Sequence, residues 1–193
     1  MLKVMELSFL LVTVCMLNSV QAYWGWGPCP KSVGNGTQFE YWRFSYTSWF
    51  EYKRSNVPKW EEGTQCNKLR FGKIPGKGDL IFTRPGESSE NVPVSIDEQP
   101  GTSINEGKLR FTYTFPSHSY VKDLQVAATD FHDFILTWTC SNYFIFHTEG
   151  AQIWSKRNYD IQPYVDIHTE RALKLINPQL EFTKMNQENC PRL

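Results

Sequence analysis

Catalysis or metal binding would need reactive side chains at defined spacings, and few sets in this chain come close. Residues 72–78 carry the glycines and lysines of a phosphate-binding loop, but their spacing is one residue short, and Gly78 stands where Ser or Thr would hold magnesium. We therefore predict a hairpin turn there. The acidic pair Glu61-Glu62 is expected at a solvated loop rim. Four histidines lie far apart without a Cys or carboxylate at ligand spacing: His118, His132, His147 and His168. The sequence predicts neither an enzyme nor a metal site.

The composition argues against an electrostatic partner. Among 193 residues, 20 basic and 20 acidic side chains cancel, so no net field attracts nucleic acid or an anionic membrane. The aromatic share of 15% favours strands and apolar pockets, although aromatic residues also fill ordinary β cores. The length is within the range of one globular domain, which we place at residues 23–193.

The amino terminus predicts secretion. Lys3 precedes an apolar run over residues 8–17, and Val20-Gln21-Ala22 offers the small residues that signal peptidase needs, so residues 1–22 are predicted to be a signal peptide. The run is shorter than the ~20 residues that span a bilayer, so we predict no transmembrane segment. Cleavage removes Cys15 and leaves an even number of cysteines, as expected of an oxidised extracellular domain. Four cysteines allow three pairings.

One modification site fits this compartment. Asn35-Gly36-Thr37 is an Asn-x-Thr sequon, which is the acceptor sequence for N-glycosylation in secreted chains. We expect Asn35 to lie in a surface loop and to carry a glycan.

Apolar periodicity predicts an all-β chain with one helix. Residues 108–115 alternate polar and apolar side chains without a break, which is the clearest strand pattern in the sequence. Seven more strands are predicted at 49–54, 67–71, 79–83, 92–96, 124–128, 134–140 and 152–156. Short turn signals separate them, and an antiparallel meander of eight strands closes most simply as an up-and-down barrel. Helical spacing follows over Pro163–Ile176, then a short ninth strand at 180–183.

Three short signatures resemble the lipocalin family. Thr47-Ser48-Trp49 is similar to its Gly-x-Trp motif, Thr129-Asp130-Phe131 to its Thr-Asp-Tyr motif, and Arg157 to the Arg that ends its last barrel strand. Cys29-Pro30 and the ending at 189–193 resemble the apolipoprotein D group, which includes arthropod bilin and carotenoid carriers. The resemblance implies an eight-stranded antiparallel up-and-down barrel with one C-terminal helix packed outside.

The same resemblance implies the cross-links and the closed end of the barrel. It pairs Cys29 with Cys140 and Cys66 with Cys190. It also places Arg157 over the indole of Trp49, where a cation–π contact closes the barrel floor.

Strand parity then predicts a ligand cavity. If Trp49 points to the floor, alternate side chains on its strand and on the later strands face inward. The predicted lining is Glu51, Lys53, Phe111, Tyr113, Leu124, Val126, Ala128, Ile135, Thr137, Thr139, Ala151 and Ile153. An alternative places Phe111 and Tyr113 outside the barrel, beneath the helix. The lining suits one hydrophobic molecule, and Glu51 or Lys53 would orient its polar end.

Two functions follow from these expectations. The first is a secreted carrier of a bilin, carotenoid, retinoid or fatty acid, with no other cofactor required and no nucleic-acid partner. The alternative is a module that binds a protein, a second copy or a lipoprotein surface through exposed aromatic residues near the barrel mouth, namely Trp24, Trp26 and Trp60.

Overall fold

The computed structural model describes residues 23–31, 33, 39–102, 106–156, 163–187 and 190. The predicted signal peptide, the Asn35 sequon and Arg157 lie outside the described residues. Within them the strands are β1 (Tyr23–Trp26), β2 (Ser48–Ser55), β3 (Gln65–Phe71), β4 (Lys77–Thr83), β5 (Glu90–Glu98), β6 (Lys108–Thr114), β7 (Ser119–Thr129), β8 (Phe134–Tyr143), β9 (Phe146–Ser155) and β10 (Thr183–Lys184).

Strands β2 to β9 form a closed antiparallel barrel of eight strands. Each pairs with its neighbour in sequence, and β9 then pairs back with β2, with Phe50 opposite Ser155 and Ser55 opposite Ala151. The short strands β1 and β10 add to β9 and β2 outside this circuit. The predicted fold class is therefore confirmed.

The observed strands differ from the predicted ones mainly at their ends. β7 begins five residues before the predicted 124, at Ser119, and β9 begins at Phe146 rather than at 152. Backbone pairing defines a strand, and it continues past the residues that show clean apolar alternation. β1 was not predicted, and the last strand lies at Thr183–Lys184 rather than at 180–183.

Buried apolar side chains form two clusters, one inside the barrel and one on its outer surface. The inner one draws on every barrel strand and comprises Trp49, Leu69, Phe71, Leu80, Phe82, Val92, Val94, Ile96, Leu109, Phe111, Tyr113, Leu124, Val126, Ile135 and Trp154, with Phe39, Tyr41 and Phe44 below them. The outer one comprises Val33, Tyr52, Ala127, Phe134, Leu136, Trp138, Ala151, Ile153, Val165 and Leu180. Alternation along each strand sends neighbouring side chains to opposite clusters.

The helix α1 (Pro163–Ile176) covers the outer cluster, as predicted. Val165 is buried there, and Ala172, Leu173 and Ile176 pack against the same cluster. These positions share one helical stripe, because residues three and four apart lie on the same face. Among the described residues, every helix is too short or too polar to span a membrane.

A short 3₁₀ helix at Tyr41–Phe44 closes the lower end of the barrel. Phe44 is fully buried, and its ring centroid lies 4.9 Å from that of Phe39, 5.5 Å from Phe71 and 5.6 Å from Trp49. The cation seen near Trp49 is Lys156, whose Nζ is 5.9 Å from the ring centroid. The predicted partner Arg157 is not described.

Both disulfides implied by the family resemblance are confirmed. Cys29 bonds to Cys140 on β8, and Cys66 on β3 bonds to Cys190. The first ties the N-terminal segment to the barrel wall, and the second ties the C-terminal tail to β3. Each closes a loop of more than a hundred residues, for which the chain-entropy model gives a stabilisation of about 4.7 kcal/mol.

We predict that Phe44→Ala lowers the free energy of unfolding by about 3–5 kcal/mol, because it leaves a cavity among four aromatic rings. The matched control is Trp42→Ala on the same 3₁₀ helix. Trp42 is 69% exposed, so its loss should cost less than about 1 kcal/mol. Denaturant unfolding of both variants measures the difference, and equal midpoints would contradict a packed floor.

Candidate functional site

The barrel wall opens between β7 and β8 at the end opposite the floor. β7 pairs with β6 along its whole first half, from Ser119 to Gln125. Its described pairing with β8 begins only at Gln125, opposite Trp138, and runs from there toward the floor. The first half of β7 therefore leaves a gap beside residues 139–143 of β8.

A pocket of about 510 Å³ fills this gap. Its lining includes Tyr120 and Lys122 from β7, Thr139 and Tyr143 from β8, and Trp24 from β1, with Asn56 after β2 beside them. Such a volume is within the range of small-molecule sites. The lining also includes the acidic residues Asp123 and Glu149, so the barrel mouth combines aromatic surface with charged groups of both signs.

The pocket ends on a buried polar cluster around two carboxylates. Lys122 Nζ donates to Glu61 Oε1 at 3.1 Å and to Gln152 Oε1 at 2.7 Å. Gln152 Nε2 in turn donates to Glu61 Oε2 at 2.9 Å and to Glu51 Oε1 at 2.6 Å. All four side chains are at least nine-tenths buried. Gln152 therefore bridges the two acids and the ammonium.

A second layer of donors surrounds Glu51. Asn67 Nδ2 donates to Glu51 Oε2 at 2.6 Å and to Thr64 Oγ1 at 3.0 Å, while Arg54 Nη1 lies 3.6 Å from the same carboxylate. Asn67 Oδ1 is buried without a hydrogen-bond partner among the described residues.

Burial, and after it the neighbouring Glu61 carboxylate, raise the pKa of Glu51 to about 7 against the opposing effect of Arg54. Tyr113 lies in the same region. Its pKa is well above the usual 10 because of burial first and of Glu61 next. The cluster therefore holds Glu51 partly protonated near neutral pH.

The loop after β2 folds into the barrel mouth rather than away from it. Trp60 packs between Tyr113 and Phe115, with ring centroids 5.1 and 5.2 Å away, and its Nε1 is buried without a partner among the described residues. Trp60 is thus not the exposed aromatic that the sequence suggested. The solvated rim predicted for Glu61 is also wrong, because its side chain turns inward to Lys122.

Several residues of the predicted lining do lie inside the barrel. Phe111, Tyr113, Leu124, Val126 and Ile135 belong to the inner cluster, so the alternative that put Phe111 and Tyr113 beneath the helix is wrong. Three polar predicted residues also face inward: Glu51 joins the polar cluster, Thr137 stands opposite Val126, and Thr139 lines the mouth pocket. Whether these residues bind a ligand stays a prediction.

Four residues of the predicted lining lie outside instead. Lys53 Nζ pairs with Asp166 of α1 at 2.7 Å, and Ala128, Ala151 and Ile153 pack in the outer cluster. The pairing register shifts on β2 between Glu51 and Lys53, and on β7 between Val126 and Ala128. Each shift inserts one extra residue, so the side chains after it that were predicted to face inward face outward. On β9 the inward residues are Gln152 and Trp154, so the predicted parity was displaced by one.

Sequence reasoning missed Tyr120, Lys122 and Gln152. Leu124 and Val126 occupy alternate positions that continue backward to Lys122 and Tyr120. This alternation was the signal in the sequence that could have predicted both residues to face inward. The strand predicted at 124–128 began after both residues. The inward loop that brings Glu61 to Lys122 has no signal in local sequence.

Solved structures with the same architecture include insecticyanin from the tobacco hornworm Manduca sexta, with a TM-score of 0.72 and 20% identity over 86% of this chain and 89% of that one. H1 crustacyanin from the lobster Homarus americanus has a TM-score of 0.68 and 17% identity, covering 89% and 94%. A mutant of LTBP1 in complex with leukotriene C4 has a TM-score of 0.55 and 16% identity, covering 81% and 99%. No protein-family model matches the sequence, and no curated protein does.

These likenesses lie below 25% identity and show the fold alone. The closed barrel of eight strands, the aromatic floor and the single helix outside together define the lipocalin fold.

We predict that ionisation of Glu51 destabilises the protein as pH rises. Its folded pKa of about 7 exceeds the unfolded value of 4.5, so the stability is fully present below pH 4.5 and is lost as pH rises through about 7. The loss is about 3 kcal/mol at 1.36 kcal/mol per pKa unit. In denaturant melts at pH 5 and pH 8, Glu51→Gln should abolish this loss of unfolding free energy. The exposed control Glu98→Gln should lose as much stability between the two pH values as wild type does. Equal pH dependence in both variants would contradict the protonated interior acid.

Proposed function

We propose that the chain is a lipocalin of the apolipoprotein D-like group, a secreted carrier that binds one small hydrophobic molecule at the barrel mouth. The observation that carries this proposal is the pocket of about 510 Å³, which joins aromatic walls to a buried lysine. The crystal structure of the LTBP1 mutant in complex with leukotriene C4 supports the ligand class, since that molecule binds a protein of the same fold.

The pocket chemistry favours a ligand with an apolar body and one polar end. Tyr120, Tyr143 and Trp24 offer apolar surface, whose burial contributes roughly 25 cal/mol per Å². Two of the three N–H donors of Lys122 are used by Glu61 and Gln152, and the third has no partner among the described residues. A carboxylate, keto or lactam oxygen of the ligand would accept a hydrogen bond from this third N–H group. Bilins, carotenoids with keto groups, retinoids and fatty acids all fit this description.

The location of the pocket differs from the site predicted from parity. The floor half of the barrel is packed with the rings of Trp49, Phe44 and Phe71, whose centroids lie 5.5 to 5.6 Å apart around Phe44. We infer that the ligand occupies the mouth half, against Thr139 and Lys122. Phe111 and the other inner apolar residues of the predicted lining then belong to the packed core of the barrel and do not line this pocket.

Secretion is part of the same proposal. Its support is the predicted signal peptide together with two disulfides, which persist in oxidising compartments. A glycan at Asn35 remains an expectation. The absence of an enzymatic role is inferred from the binding proteins that share the fold and from the lack of a catalytic motif in the sequence.

The carrier proposal is tested by titrating the protein with biliverdin, retinol and oleic acid and following tryptophan fluorescence. We predict saturable quenching with at least one of these molecules. Thr139→Arg places a bulky charge in the pocket and should weaken that binding about tenfold or more, because an unpaired charge against an apolar ligand is costly.

The control is Asn91→Arg. Asn91 is exposed on β5 and does not line the pocket, so the new charge points to solvent and binding should be unchanged. The absence of saturation with all three molecules would contradict the carrier proposal. Equal affinities of Thr139→Arg and wild type would place the ligand elsewhere.

A further inference from the structure

The β8–β9 hairpin and β1 together carry an exposed apolar surface, which we call the aromatic tip. It consists of Trp24, Trp26, Tyr143, Phe144 and Ile145, and it adjoins the mouth pocket through Trp24 and Tyr143. Trp26 is 85% exposed and Phe144 is 104% exposed, so the latter protrudes beyond all its neighbours. Contiguous apolar surface of this kind marks an interaction site.

The tip is held rigidly by contacts behind it. The ring centroid of Trp24 lies 4.6 Å from that of Phe146, and Gly27 N donates to Ile145 O at 2.9 Å. His147 Nδ1 lies 2.9 Å from Gly27 O, and the Cys29–Cys140 disulfide follows directly. β1 therefore holds the hairpin in place, and Gly27 directly after it donates to the backbone carbonyl of Ile145 at the turn.

Neither turn geometry nor core packing accounts for the residues at the tip. Phe144 has a positive φ of 23°, a backbone region in which Gly or Asn costs less than a bulky residue. Its side chain contributes nothing to either apolar cluster. An aromatic residue held in an unfavourable conformation and fully exposed points to a function for the side chain itself.

We propose that the aromatic tip docks the protein on a zwitterionic lipid surface by inserting Phe144 and Ile145. The tip is convex, and a bilayer accepts a protrusion, whereas a protein partner would need a matching groove. Residues 23–28 and 141–146 contain no charged side chain, so insertion brings no charge into hydrocarbon.

The order of residue types supports a lipid partner over a second protein. Phe144 and Ile145 lie at the turn, with Tyr143, Trp24 and Trp26 behind them. Tyr and Trp prefer the headgroup level of a membrane, while Phe and Ile partition into the acyl boundary. Because the net charge is zero, anionic lipid would add no net electrostatic attraction, which favours a zwitterionic surface held by apolar contact.

Docking in this orientation turns the mouth pocket toward the membrane. Trp24 and Tyr143 line the pocket and also belong to the tip, so a hydrophobic molecule would pass between lipid and pocket without crossing bulk water. The docking surface goes beyond the carrier proposal and does not depend on it, because vesicle binding is measured without any carried ligand.

The test uses the full mature chain and phosphatidylcholine vesicles, with binding followed by flotation and by the blue shift of tryptophan emission. Wild type should float with the vesicles to the same extent at low salt and at about 0.5 M salt, because screening does not affect apolar insertion. Phe144→Asp and Trp26→Ser should each reduce binding, and Phe144→Asp by about tenfold or more.

The matched control is Ile74→Asp. Ile74 is 66% exposed, but it lies in the β3–β4 turn at the floor end of the barrel, so its variant should bind vesicles like wild type. The proposal is overturned if wild type does not bind the vesicles, or if Phe144→Asp binds them equally. It is also overturned if sedimentation shows that the tip joins two copies of the chain and vesicle binding is lacking.

Discussion

The pairing of β2 with β9 is the constraint on which the rest of the structure depends. It closes eight strands into a barrel, and the gap between the first half of β7 and β8 is the unpaired edge described within that circuit. The two strands also carry the groups that meet inside, because Glu51 on β2 accepts a hydrogen bond from Gln152 on β9 across the seam. Trp49, two residues before Glu51, sits over the floor. One seam thus sets both the apolar base of the barrel and the polar layer above it.

Because of that polar layer, the barrel interior is not lined by apolar side chains alone. Two carboxylates, Lys122 and a bridging Gln152 are removed from water, and each is held by hydrogen bonds that replace hydration. The layer separates the packed rings of the floor from the pocket at the mouth. It therefore fixes how deep any occupant can lie and presents an ammonium rather than an aromatic ring at the pocket base.

Much of this architecture could be predicted from the sequence, because backbone alternation and helical spacing are local signals. Leu109, Phe111 and Tyr113 share a face wherever their strand lies, and the family resemblance supplied the cysteine pairs. The site was harder to predict. Register shifts on β2 and β7 leave no mark in the side-chain pattern, yet they turn Lys53 and Ala128 outward. The inward fold of Trp60 and Glu61 depends on partners more than 50 residues away, such as Tyr113 and Lys122, which is a tertiary effect.

The disulfides have a consequence for the order in which the chain can fold. Their cysteines are separated by 111 and 124 residues, so during synthesis neither native bridge can form until most of the barrel has been made. The closing strands β2 and β9 are almost as far apart in sequence. Chains dominated by such distant contacts fold slowly and expose unpaired strands while they wait. The native bridges therefore become available only late in synthesis, and the first of them can form before the closing strand β9 has been made.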